Sequence, residues 1–107
     1  MSTAWKRLHL AMYTLASAEP QRDRLLKALR MHIVHLSGHD VPVEIRDEFS
    51  ALMKDIARVP AKEGECAIKA TLDAAGNDEI MRMVNSIVRM YDAVVRYQPI
   101  LSPNPRF

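Results

Sequence analysis

The stretch DEIMRMVNSIVRMYDAVVRYQ, residues 78–98, decides the fold. Ile80, Val84, Ile87, Tyr91 and Val94 recur at spacings of three and four, the period of one helix face. Met81, Val88 and Val95 widen that stripe on one side, and Met83 and Met90 on the other. Arg82, Ser86, Arg89 and Arg96 form the clear polar strip. A helix with so little polar circumference needs protein against several of its sides, from its own chain or from a second copy.

Working outward from this helix, Asn77 or Asp78 supplies its N-cap and Pro99 ends it. Upstream, Ser2 or Thr3 caps a first helix to about Ser17, with Trp5, Leu8, Met12 and Leu15 as its face. Pro20 suits the first turn of a second helix, which runs to about Ser37. Its face is Leu25, Leu26, Leu29, Ile33 and Leu36, and Gly38 is a fitting stop. Asp40-Val41-Pro42 starts a third helix with Ile45, Phe49, Leu52 and Ile56 inward, ending at Arg58-Val59-Pro60. Glu44, Asp47 and Glu48 lie in its early turns, where negative charge suits the dipole. Residues 61–77 read as a short helix closed by Gly76, although Cys66, Ile68, Ala70 and Leu72 also alternate as in a strand.

The expected fold is all-α: a small antiparallel bundle of four to five helices around a long, largely buried C-terminal helix. Residues 1–98 form one domain, and 99–107 a stiff, mobile Pro-rich tail. The 107 residues suffice for one core, and the 49% hydrophobic and 26% charged content is that of a globule. Seven methionines against two phenylalanines favour adaptable packing. One cysteine forms no internal disulfide. The N-terminus carries no signal-peptide core, and no run approaches a membrane span. A cytoplasmic protein of bacterial style is expected.

Net charge is +2, but residues 40–79 carry ten acidic and five basic side chains while both flanks are basic. The simplest account is that these parts face one another in the fold or across a dimer; the sharper one is a basic surface for an acidic partner.

Few residues suggest chemistry. His32, His35 and His39, with Asp40, invite a metal reading, since a transition-metal site needs three or four convergent ligands. Gly38 placed between them argues for partly exposed histidines at a helix end instead. No Glu-x-x-His occurs, so a di-iron bundle is excluded. Cys66 has no local pattern of a catalytic nucleophile, and no glycine-rich phosphate loop is present. No cofactor is implied, and the reading leans away from an enzyme.

Arg22, Arg24, Lys27 and Arg30 make the second helix a candidate nucleic-acid contact. Against it, aromatic residues are only 6% of the chain, and a helix-turn-helix reading would drive Glu44, Asp47 and Glu48 toward phosphates. Asp78 and Asp92 stand four residues before Arg82 and Arg96, the spacing of local ion pairs.

Trp5-x-x-Leu8, Asp40-x-Pro42-x-Glu44-Ile45-Arg46-x-x-Phe49 and Ile87-Val88-x-x-Tyr91-Asp92 resemble a set of short uncharacterised bacterial proteins, over about residues 5–97. The resemblance implies a small cytoplasmic helical protein without an assigned activity, and it transfers no catalytic or binding residue. The leading expectation is a homodimer or a protein-binding regulatory module using Met81, Met83, Val88, Met90 and Val95. A ligand- or metal-binding helical protein and a nucleic-acid binder are the alternatives.

Overall fold

The computed structural model describes residues 3–61, 63 and 66–97. The proposed Pro-rich tail lies outside them. Five α-helices follow one another: α1 (Thr3–Leu15), α2 (Gln21–Met31), α3 (Val43–Ile56), α4 (Ala67–Ala74) and α5 (Asn77–Tyr97). A 3-10 turn, Ile33–His35, follows α2. No strand occurs among the described residues, so the helical reading of the segment before α5 holds. There the Cys66 thiol caps α4 by accepting from the Lys69 backbone N–H at 3.3 Å.

The long last helix is where its sequence places it, packed between α1 and α3 and touching α2. Its buried row is Ile80, Met83, Ile87, Met90 and Val94. Val84 and Tyr91, expected at the centre of the stripe, are half-buried at its edge. Ser86, assigned to the polar strip, is buried as well. The helix is thus rolled toward its Met83 and Met90 side. That side meets α3, where Glu48 accepts a hydrogen bond from the Ser86 hydroxyl at 3.1 Å. The bond removes most of the cost of burying that hydroxyl.

Two other faces also differ from their expected form. In α1 the buried residues are Ala4, Leu8 and Ala11, with Trp5, Met12 and Leu15 packed along the edge. The alanines flank Leu8 by one turn each and let neighbouring helices approach closely. Helix α2 stops at Met31, not at Ser37. His32 leaves the α-helical path (φ −128°, ψ −55°) and the chain tightens into the 3-10 turn. With three residues per turn, residues i and i+3 eclipse, which sets Ile33 and Leu36 on one line, both buried.

Neither glycine caps a helix as expected. Gly38 lies beyond the 3-10 turn, and α4 is closed by Ala75 in extended conformation (φ −80°, ψ 142°). The loop holding Gly38 is organised by Asp40, whose carboxylate accepts from the Ser37 backbone N–H at 3.0 Å and from its hydroxyl at 3.1 Å. These bonds hold the Asp40 carboxyl below the usual carboxylate range.

Helix α4 is short, so its position depends on polar ties to its neighbours. The Thr71 hydroxyl, fully buried, accepts from the Val59 backbone N–H at 3.0 Å. At its other end Arg22 reaches over from α2. It donates to the carbonyl of Leu72, to that of Ala75 at 2.8 Å, and to Asn77 Oδ1 at 3.3 Å. Orphan carbonyls at a helix C-terminus need such donors.

Candidate functional site

The five residues marked as an interaction surface separate into two groups. Met83 and Met90 lie in the core, 5% and 0% exposed, and so cannot meet a partner in this fold. Met81, Val88 and Val95 are 41%, 39% and 46% exposed. With half-buried Val84 and Tyr91 they form a second row, 81-84-88-91-95, at spacings of three and four. It copies the buried row 80-83-87-90-94 one residue later, hence about 100° around the helix. One row closes the chain's own core, and the other reaches solvent.

Helix α1 continues this outer face. Trp5 stacks on His9 with ring centroids 4.6 Å apart and planes 12° from parallel. Nδ1 of His9 and the Tyr91 hydroxyl share a hydrogen bond of 3.0 Å that ties α1 to α5. Tyr13 stands edge-on to His9 at 5.1 Å and is 69% exposed. A shallow cavity of about 310 Å³ opens beside them, lined by His9, Met12, Tyr13, Ala16 and Tyr91. At the far end Gln21 contacts Met81, its amide nitrogen 2.9 Å from the thioether sulfur. Sequence spacing marks the α5 half of this surface. The α1 half, joined to it by a contact between residues 9 and 91, leaves no such sign.

A second cleft, about 380 Å³, lies between α3 and α5 and includes Glu48, Asp55, Arg82, Ser86 and Arg89. Of its charges, Glu48 and Arg89 answer one another. Glu48 Oε2 accepts from Arg89 Nε at 3.0 Å and Nη2 at 2.8 Å in addition to Ser86. At the end of α3, Arg58 pairs with Glu79 at 2.5 Å, and that contact holds the Glu79 carboxyl below its ordinary range. Of the anticipated local pairs along α5, Asp92–Arg96 forms at 3.1 Å. The arginine face of α5 is therefore partly committed to ion pairs within the chain.

The basic cluster of α2 is divided among structural tasks. Arg22 binds the end of α4, Arg24 donates to the Leu15 carbonyl at 2.8 Å, and Lys27 pairs with Glu19. Arg30 alone of the four makes no hydrogen bond or ion pair among the described residues. Phosphate recognition by the cluster would compete with these contacts.

The histidines do not converge either. Among the described residues no three metal-binding side chains come together. His32 turns inward, its Nε2 3.2 Å from the Thr14 hydroxyl, whereas His35 and His39 are exposed and Asp40 serves its own loop. Cys66 caps α4. Neither Cys66 nor any of these three histidines lines the two cavities above. No helix among the described residues is long and apolar enough to cross a membrane. No family model, no curated protein and no solved structure matches the chain.

Proposed function

We propose that this protein works through protein–protein contact, as a homo-oligomer assembled on the α1–α5 face. The observation that carries this reading is the outer row Met81, Val84, Val88, Tyr91 and Val95, half exposed beside a complete inner row. Single exposed apolar residues are ordinary, but a contiguous row continued by Tyr13 and a shallow apolar cavity is the kind of surface that mediates association. A two-fold arrangement would set this face against its own copy.

Light scattering over a range of protein concentrations tests the proposal. A dimeric mass is expected, and Val88→Glu should shift it to the monomer while the helical circular dichroism signal is kept. A wild-type monomer at high micromolar concentration would remove the homo-oligomer.

A further inference from the structure

His32 occupies the joint where α2 gives way to the 3-10 turn. Its backbone N–H still donates to the Ala28 carbonyl at 3.2 Å, and its own carbonyl accepts from His35 at 3.3 Å. The ring crosses to α1. There the Thr14 hydroxyl donates to the Leu10 carbonyl at 3.2 Å, which leaves the Thr14 oxygen to accept from the ring. Nε2 of His32 must then carry a proton. Nδ1 is buried and has no hydrogen-bond partner among the described residues. The neutral ring, protonated on Nε2, is the form these surroundings accommodate.

From this geometry we infer that His32 is a proton-operated latch between the C-terminal half of α1 and the corner after α2. Adding a proton at Nδ1 places a second N–H where no acceptor lies. It also adds a positive charge. The charged and titratable groups facing the ring are Arg7 on α1 and His35 on the 3-10 turn, and both repel it. Burial acts in the same direction and is the largest cause holding the His32 pKa below its ordinary value. Acid therefore favours a state in which the ring leaves Thr14 for water. Ile33, fully buried next to it, anchors the corner, so the motion is a local opening and not a general unfolding. Thr14 sits between Tyr13 and Ala16, which line the apolar cavity. Opening would thus reach the α1 half of the proposed contact face, although the latch stands whether or not that face binds a partner.

The sign of the effect is fixed by linkage. A histidine whose pKa is lowered by folding contributes stability at pH values above the unfolded value of 6.5. That contribution is lost as pH falls through the lowered value. The test follows the His32 ring by NMR and Tm by circular dichroism between pH 7.5 and pH 5, in the full chain. His32→Gln keeps an N–H donor near the Nε2 position without titrating, and His39→Gln serves as the exposed control. The ring should titrate below 6.5. The loss of Tm on acidification should be smaller in His32→Gln than in wild type, and the same in His39→Gln as in wild type. A ring titrating at or above 6.5, or equal losses of Tm in wild type and His32→Gln, would overturn the latch. Should His32→Gln not fold, the wild-type titration decides, supported by amide exchange. The amides of residues 14–17 and 32–36 should open at least several-fold more at pH 5.5 than at pH 7.5, after correction for intrinsic rates.

Discussion

Replacing Arg22 by methionine isolates the polar tie between α2 and α4. The substitution keeps the apolar stem of the side chain and removes only the guanidinium. Three acceptors lose their donor: the carbonyls of Leu72 and Ala75 and the Asn77 side chain. A hydrogen bond to a charged group contributes roughly 1.5–3 kcal/mol. The three share one guanidinium and are not additive. The Leu72 carbonyl also keeps the Ala75 N–H at 3.3 Å, and water can reach the exposed Asn77. The net loss should therefore be about 2 kcal/mol, which for a domain of this size lowers Tm by roughly 8–16 °C. Thermal and urea denaturation followed by circular dichroism would measure it, with Arg30→Met as control. Arg30 has no partner among the described residues and should change stability by less than about 0.5 kcal/mol. Equal, small effects of the two substitutions would refute the assignment of Arg22 to the end of α4.

Four further outcomes follow from the packing and the charges. Ile87→Asp places an unpaired carboxylate in the core at a position with no exposure and should cost more than about 4 kcal/mol, enough to abolish the thermal transition. Arg89→Ala breaks the cross-helix pair with Glu48, but the Arg89 side chain is 62% exposed, so a loss within about 1 kcal/mol is expected in urea titrations. Glu79 is held below 4.5 by Arg58, so the Tm advantage of wild type over Arg58→Ala should be constant above the ordinary carboxylate range. It should shrink as pH falls through the lowered value. Gly38→Ala should leave Tm unchanged or raise it, by up to about 1 kcal/mol in stability, because the added methyl meets nothing within 4 Å.

Most of the helices were legible in the sequence because each carries apolar residues at threes and fours, and burial enforces that period. What spacing does not determine is the roll of a helix about its axis. In α5 the rows beginning at Ile80 and Met81 have the same rhythm. The choice between them depends on which flank meets Glu48 of α3, a residue 38 positions away. The end of α2 at Met31 leaves no sign in the sequence for a related reason. No glycine or proline stands at His32, and the chain turns there because Ile33 and Leu36 reach the core together and the ring finds Thr14. The basic cluster shows the same limit. Arg22 and Arg30 are the same residue type at opposite ends of α2, and the arrival of α4 gives Arg22 its structural task.

The inner row of α5 supplies five large or branched side chains to a core that α1 to α4 surround but do not fill. Residues 3–76 emerge from the ribosome before that row exists. Until residue 94 is available, the faces of α1 and α3 that it will cover have only each other or water to meet. Helical turns can form locally in the nascent chain, but the cooperative step has to wait for the C-terminal helix. A stop anywhere within α5 should therefore yield a collapsed, protease-sensitive product in place of a smaller stable domain, with damage increasing for each missing inner-row residue.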